Sequence, residues 1–286
     1  MSRAQDRPSL RERLQEESIL VALGAHDGLT AKIAEAAGIE ALYHGGYATA
    51  AHHYGLPDIG LVGLEDMVGS IERMASVTGL PILADADTGF GSEPGVRRTV
   101  ARYEAAGAGA IQIEDQVFPK RCGHMEGKRV IPTDEMVLKV KAAVEARKDP
   151  ETLIIARSDA LQVTGLDDAI ARVNAYAEAG ADVAMIDAPP SVEALERIAR
   201  EVGIPSLANM SETGRTPAVG SAELQAMGYK VVIYPSTQTW LFAKAYRELA
   251  DEVVRTGSTA GMKDRFTSFD DVNALLGLDT WQETPS

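Results

Sequence analysis

The sequence has little of several features that mark particular classes of protein. It contains one cysteine in 286 residues, so it forms neither an intramolecular disulfide nor a zinc site built from several cysteines. No apolar run approaches the roughly 18 residues of a transmembrane helix, and no run of signal-peptide type precedes residue 19. We therefore expect a cytoplasmic protein that has no contact with a membrane.

Positive charge is also scarce. The chain has 28 Lys and Arg against 42 Asp and Glu, which gives a formal net charge of −14. Nucleic acids and anionic lipid surfaces attract positively charged proteins, so this balance argues against both as partners. Hydrophobic residues make up 45% of the chain, as is ordinary for a folded protein with a large core.

Short apolar runs alternate with amphipathic stretches along the whole chain. Most runs follow a glycine, as in AAGIEAL, AAGAGAI, EVGIPSL and AMGYKVV, and glycine commonly ends a helix. The runs have the composition of buried parallel strands, and the stretches between them show helical spacing. Eight such units predict an α/β protein, a single (β/α)8 TIM barrel over residues 1–286, with a helical extension at about 258–286. An open doubly wound sheet is the alternative.

Acidic residues stand at the ends of neighbouring predicted strands. Asp85 and Asp87 are two residues apart, so both side chains project to one face. The next strand ends at Glu114 and Asp115, of which one can face the barrel mouth, and Asp58 follows the second strand. The carboxyl ends of barrel strands line the active site, and a hard divalent cation, Mg²⁺ or Mn²⁺, would offset the repulsion between these acids. The alternative is that Asp58 and Asp87 only form turns.

The single cysteine, Cys122, lies in the basic segment QVFPKRCGHMEGKRVIP. Its neighbours with cationic groups are Lys120, Arg121, His124, Lys128 and Arg129. These groups should attract anions and lower the pKa of the thiol, while Gly123 and Gly127 should make the segment mobile. We expect a lid that closes over an anionic substrate and brings in the thiol as an acid or a base. An incidental cysteine in a solvated loop is the alternative.

The fifth strand ends with an arginine, Arg157, that emerges from an apolar run. A buried arginine needs an anionic partner, either a substrate carboxylate or an internal carboxylate such as Asp159 or Glu114. Later strand ends add further polar residues, namely Asp187, Asn209, Ser211 and Thr213. This set suits metal-assisted chemistry on a small carboxylate substrate, in which an enolate must be stabilised.

Five strings at these strand ends resemble the isocitrate lyase/phosphoenolpyruvate mutase superfamily. They are GLPDIG, DADTGFG, IEDQVFPKRCGH, IIARSDA and LANMSETGRTP, and the resemblance covers roughly residues 19–234. The string KRCGH is similar to the signature of the 2-methylisocitrate lyase and 2,3-dimethylmalate lyase branches. The longer string KRCGHMEGKR also resembles the carboxyphosphonoenolpyruvate mutase branch, so this motif does not separate the branches.

The resemblance implies an Mg²⁺-dependent carbon–carbon lyase. Such an enzyme cleaves a 2-hydroxy di- or tricarboxylate into an α-keto acid and a second carboxylate, through an enolate that Cys122 protonates. By the same resemblance the metal would be held by Asp85, Asp87 and Glu114, and catalysis would also involve Asp58, His124 and Arg157. The substrate would contact Tyr43, Gly45, Gly46, Lys120, Gly123, Arg157, Asp187, Asn209 and Ser211. The assembly would be a homo-oligomer, a dimer of dimers, whose subunits exchange the eighth helix of the barrel.

Three departures from the family pattern leave the substrate open. His44 and Tyr47 stand where small residues are expected, Asp187 replaces a glutamate, and YPST ends the eighth strand. The alternatives are an enzyme of carboxyphosphonoenolpyruvate or phosphonopyruvate that acts on a P–C bond, an oxaloacetate-type decarboxylase, and a catalytically silent barrel that binds a metabolite.

Overall fold

A computed structural model describes residues 8–282 as a closed barrel of eight parallel strands. Each strand pairs with its neighbours in the sequence, and β8 closes the barrel against β1. The strands are β1 Leu20–Gly24, β2 Ala41–His44, β3 Ile82–Asp85, β4 Ala110–Glu114, β5 Leu153–Ser158, β6 Val183–Ile186, β7 Ser206–Asn209 and β8 Val231–Tyr234. The predicted (β/α)8 barrel is confirmed, and the open sheet is excluded.

Twelve α-helices accompany these strands in the described part of the chain. They are α1 Leu10–Arg13, α2 Gly28–Ala36, α3 Gly46–Thr49, α4 Leu64–Ala75, α5 Glu93–Ala106, α6 Thr133–Ala146, α7 Leu166–Glu178, α8 Val192–Glu201, α9 Ser221–Met227, α10 Thr237–Thr256, α11 Phe269–Leu276 and α12 Leu278–Gln282. A π-helix, Ala50–Tyr54, continues α3, and 3-10 helices span Ala160–Gln162 and Ala260–Arg265. In the predicted extension, residues 283–286 lie outside the described residues. None of the described helices is long and apolar enough to cross a membrane.

The predicted junction glycines end helices in two ways. Gly107 and Gly228 follow α5 and α9 in the left-handed conformation, with φ of 97° and 111°. Only glycine adopts this conformation without a steric penalty, so the chain reverses there and enters the next strand at once. Helix α8 ends differently, because the extended Val202 stops it one residue before Gly203.

Alternate residues of each strand point into the barrel. The interior cluster includes Ala41 and Tyr43 of β2, Ile155 of β5, Met185 of β6 and Leu10 of α1. Residues of the opposite parity form the second cluster, which lies between the strands and the surrounding helices. The alternation follows from the two-residue repeat of a strand. It places each inward residue near a strand's carboxyl end at the mouth of the barrel.

Helix α10 follows the eighth strand but buries little of itself. Of its 20 residues only Thr239 is buried. Large apolar side chains on this helix are exposed to solvent, namely Leu241, Phe242, Tyr246, Val253 and Val254. Exposed apolar surface of this extent on one helix is unusual in a monomeric protein.

Candidate active site

A cavity at the carboxyl ends of the strands brings most of the predicted site residues together. Its lining includes Tyr43, Gly45, Gly46, Asp58, Asp85, Lys120, Cys122, Gly123, His124, Arg157, Asp187, Asn209 and Ser211. Asp87 and Glu114 are buried beside it and do not line it. The functional roles of these residues stay predictions. Inward parity of the strands brings Tyr43, Asp85 and Arg157 to the mouth, and most of the other residues come from the loops that follow the strands.

Two carboxylates converge next to Gly46 at the start of α3. An added Cβ at Gly46 would lie 3.2 Å from Asp87 Oδ1 and 3.5 Å from Asp85 Oδ2, so both oxygens face one point. The Asp87 amide donates a hydrogen bond to Asp85 Oδ1 at 3.0 Å, which fixes the turn between them. Asp87 itself has a φ of 47°, in the left-handed region, which is unusual outside glycine.

The cation among these acids is a lysine of the cysteine segment. Lys120 Nζ lies 2.5 Å from Asp58 Oδ1 and 2.7 Å from Asp87 Oδ1, and the lysine side chain is 3% exposed. Lys120 was predicted to bind substrate, but in this arrangement its ammonium contacts carboxylates. Within residues 8–282, no three His, Cys, Asp or Glu side chains are arranged as a metal site.

Of the three predicted metal ligands, Glu114 is separated from Asp85 and Asp87 because its carboxylate faces an arginine. Glu114 Oε2 lies 3.3 Å from Arg157 Nε. The adjacent Asp115 faces the other way and accepts hydrogen bonds from the hydroxyls of Ser158 and Tyr176, both at 2.8 Å. One of the two acids therefore belongs to the mouth and the other to the packing between β5 and α7, as strand alternation requires.

The acids at the mouth have a charge balance that suits a divalent cation. Burial raises the pKa of Asp87 to about 7, repulsion by Asp85 and Asp58 adds to the shift, and Lys120 opposes it. Burial also raises the pKa of Glu114 well above its usual range, against the attraction of Arg157. The ionised forms are thus disfavoured with only protein cations present. Hard carboxylate oxygens in this state fit Mg²⁺ or Mn²⁺.

Arg157 is held by three carboxylates. Its guanidinium donates to Asp159 through Nε at 2.9 Å and Nη2 at 3.0 Å, and Nη2 lies 3.2 Å from Asp187 Oδ2. Burial would raise the pKa of Asp159, but Arg157 and Lys128 lower it to about 2. The internal ion pair, one of the two explanations for this arginine, is present, and the guanidinium still borders the cavity.

The expected thiolate at Cys122 is wrong. Burial raises the pKa of the thiol to about 11, and the carboxylates of Asp58 and Asp187 add to the shift against a backbone hydrogen bond from His124. The expectation failed because adjacent residues in sequence do not all lie near the sulfur. Arg121 and Arg129 are exposed, while Lys120 and Lys128 are paired with carboxylates. At neutral pH Cys122 is therefore a protonated thiol.

His124 is a neutral donor at the cavity wall. Burial lowers its pKa, so the ring is uncharged at pH 7. The Arg215 amide donates to His124 Nδ1 at 3.3 Å, which leaves the proton on Nε2. That nitrogen is buried and has no hydrogen-bond partner among the described residues. Gly214 makes room for the ring, since an added Cβ there would lie 2.5 Å from His124 Cε1.

The two unusual residues after β2 differ in position. His44 faces away from the barrel interior, is fully buried and lies 2.9 Å from the Thr49 hydroxyl through Nε2. Burial lowers its pKa to about 3, so it is a neutral packing residue outside the cavity. Tyr47 lines the cavity, as do Pro235 and Ser236 after β8. Pro235 and Ser236 were not among the site residues predicted from sequence, although the departure YPST at the end of β8 pointed to them.

Comparison with known proteins identifies the family of this chain. Residues 10–254 match the profile of the family described as phosphoenolpyruvate phosphomutase. The chain belongs to this family. It is 43% identical to a 2,3-dimethylmalate lyase of Eubacterium barkeri over 96% of this chain and 95% of that one. It is 40% identical to a 2-methylisocitrate lyase of Aeropyrum pernix over 97% of this chain and 90% of that one.

A solved structure that this chain resembles contains both a metal and a small anion. Phosphonopyruvate hydrolase in complex with oxalate and Mg²⁺ superimposes with a TM-score of 0.86 at 28% identity. The alignment covers 99% of this chain and 97% of that one. The family resemblance found in the sequence is therefore confirmed, and identity is higher to the two lyases than to this hydrolase.

The protonation state of Cys122 predicts its alkylation rate. Because the pKa is raised to about 11, the thiolate fraction is small at neutral pH. The rate with iodoacetamide should rise about tenfold per pH unit from pH 7 to pH 10, without a plateau. Mass spectrometry reports this one modification unambiguously. The guanidinium-unfolded chain, with an ordinary thiol pKa, is the control, and a rate that levels off before pH 10 in the folded protein, as in that control, would contradict the raised pKa of Cys122.

Proposed function

We propose that this protein is an Mg²⁺-dependent carbon–carbon lyase. Its substrate is a 2-hydroxy di- or tricarboxylate of the 2-alkylmalate or 2-methylisocitrate type, and its products are an α-keto acid and a second carboxylate. The observation that carries the proposal is a protonated thiol, Cys122, held in a loop across a barrel mouth of buried acids and Arg157. The two lyase relatives at 43% and 40% identity support the same reaction class.

The metal proposal rests on the paired acids at the end of β3. Asp85 and Asp87 would hold Mg²⁺, with Glu114 joining them directly or through water, and Mn²⁺ offers the same coordination chemistry. When bound, the ion would polarise the 2-hydroxyl group and carboxylate of the substrate and stabilise negative charge on their oxygens.

Two side chains of this protein are proposed to transfer the protons of the reaction. Asp58 receives the proton of the 2-hydroxyl group, and the C2–C3 bond then breaks so that C2 becomes the carbonyl carbon of the keto acid. The bonding electrons move to C3, which forms an enolate with the neighbouring carboxylate. Cys122 donates its proton to C3 of this enolate, a task that needs a thiol rather than a thiolate.

Carboxylate binding falls to donors around the cavity wall. The proposed donors are the guanidinium of Arg157, the Nε2–H group of His124, the amide of Asn209 and the hydroxyl of Ser211. Lys120 and the Gly123 backbone lie nearby, and the proposed keto-acid portion lies beside Tyr43, Gly45 and Gly46. Asp187 positions Asn209, because it accepts a hydrogen bond from the Asn209 amide at 3.0 Å. The partner is thus a small carboxylate, and an enzyme that keeps its cysteine reduced suits the cytoplasm.

The assembly is proposed to be a homo-oligomer, a dimer of dimers. Helix α10 has exposed Leu241, Phe242 and Val254, with exposed fractions of 66%, 53% and 88%. Burial of these side chains against a second copy would remove a large apolar surface from water. Exchange of this helix between subunits would provide that burial.

Incubation with a substrate panel tests the reaction. With Mg²⁺ the 286-residue chain should convert 2,3-dimethylmalate or 2-methylisocitrate to a keto acid and a second carboxylate, which proton NMR detects. EDTA should abolish turnover. Turnover of phosphonopyruvate or oxaloacetate alone would overturn the proposal in favour of those chemistries. Heat stabilisation by a panel compound without any turnover would favour a catalytically silent barrel.

Replacement of the thiol tests the proton donor. Cys122→Ser should lower kcat by about 10²–10⁴-fold, because a general acid contributes that much to a rate. Its melting temperature and Mg²⁺ affinity, measured by calorimetry, should match those of the parent protein, since the thiol is not among the proposed metal ligands. Turnover within twofold of the parent would remove Cys122 from the mechanism.

The oligomer is tested by mass in solution. Sedimentation equilibrium should give a multiple of the 30.5 kDa chain mass, close to four chains. Leu241→Asp should shift the distribution toward smaller species, because it places a charge in the proposed interface. Lys244→Asp changes an exposed residue of the same helix and serves as the control. A monomeric parent protein would contradict the assembly.

A further inference from the structure

One buried cation near the site has no role in the reaction proposed above. Lys128 Nζ donates hydrogen bonds to the Gly123 carbonyl at 2.6 Å and to Asp159 Oδ1 at 2.8 Å. Its side chain is 1% exposed, and the residues that line the cavity do not include it. An ammonium so far from water needs a structural reason, because burial of a lysine is costly unless it is paired.

The carbonyl that Lys128 binds belongs to the residue after Cys122. Gly123 packs against the floor of the site so closely that an added Cβ would lie 1.7 Å from Asp187 Oδ2 and 2.4 Å from Arg157 Nη2. The Cys122 amide also donates to the Asp58 carbonyl at 3.1 Å. The loop around the thiol is therefore in contact with the barrel mouth at this point.

The other acceptor of Lys128 belongs to the barrel. Asp159 directly follows β5, is fully buried, and binds Arg157 through both carboxylate oxygens. A single ammonium thus bridges the segment that carries the thiol and the strand end that carries the arginine. Movement of the loop away from the mouth would separate Lys128 from Asp159 or from Gly123, so the ion pair favours the closed loop.

We propose that Lys128 is a positioning residue that keeps the Cys122 loop closed by joining the Gly123 carbonyl to Asp159 at the end of β5. The inference deepens the proposed function, because it concerns how that thiol is held over the substrate. Lys128 touches neither the reacting atoms nor the residues proposed to hold the metal. Its removal should leave the barrel folded, since Asp159 keeps both hydrogen bonds to Arg157.

Alkylation of the single cysteine measures loop opening without any substrate. Lys128→Met should increase the rate with iodoacetamide at pH 8 by about tenfold in the substrate-free protein, because an opened loop exposes the sulfur. The sign is diagnostic. If the loop stayed closed, loss of a nearby cation would raise the thiol pKa and slow the reaction. An unchanged or slower rate would overturn the proposal.

The same loop offers a matched control. Arg129 is the next residue along, is exposed, and its side chain forms no hydrogen bond or ion pair with the described residues. Arg129→Met removes an equal charge and should leave the alkylation rate within about twofold of the parent. A tenfold increase in this variant would mean that net charge controls the loop and would overturn the role of Lys128.

Two further measurements separate this inference from the lyase proposal. Lys128→Arg keeps the charge and a hydrogen-bond donor, so it should react with iodoacetamide more slowly than Lys128→Met. If Lys128→Met folds poorly, Lys128→Gln replaces it, and Lys128→Arg should again react more slowly. With a panel substrate, kcat should fall more than KM changes and recover in part in Lys128→Arg. Faster alkylation of Lys128→Met, in a protein that turns over no panel substrate, would support the positioning role of Lys128 and count against the lyase proposal.

Discussion

Side chains on a β-strand alternate between its two faces, and closure of eight strands turns one face of each into a shared interior. The site residues that stand on strands depend on that constraint. Apolar inward residues such as Leu83 and Ile155 fill the lower barrel. The next inward positions along the same strands are Asp85 and Arg157, which reach the mouth. The site is therefore the continuation of the core, with polar residues in place of apolar ones.

Charge at the mouth is balanced by groups from a different part of the chain. The strand ends supply the acids, whereas two of the compensating cations, Lys120 and Lys128, come from the loop that carries Cys122. Electrostatic attraction between strand ends and loop is thus part of what folds the loop over the barrel. The same loop buries its thiol beside carboxylates. Burial raises the pKa of Cys122, and the carboxylates of Asp58 and Asp187 add to the shift.

The barrel and the convergence of the acids were predictable from sequence, because strand alternation is a local property. Parity also explains why Asp115 and His44 lie outside the cavity. In the sequence, Asp115 was one of two candidates for the mouth, and His44 was a departure expected near the substrate. The state of the thiol was not predictable. It depends first on how deeply the fold buries the sulfur and then on which cations pair with carboxylates elsewhere. Contacts distant in sequence decide both, and Lys120 and Asp58 are 62 residues apart.

Three glycines at the mouth contribute to the site through the side chain that they lack. Gly46, Gly123 and Gly214 leave space that the carboxylate of Asp87, the carboxylate of Asp187 and the ring of His124 respectively occupy. A saturation screen for activity should find these positions among the least tolerant in the chain, although none carries a reactive group. Substitution at these glycines is limited by the space that a side chain would need, not by the loss of a reactive group. New substrate preferences would therefore arise more readily by substitution of Tyr47 or Ser236, on the cavity wall.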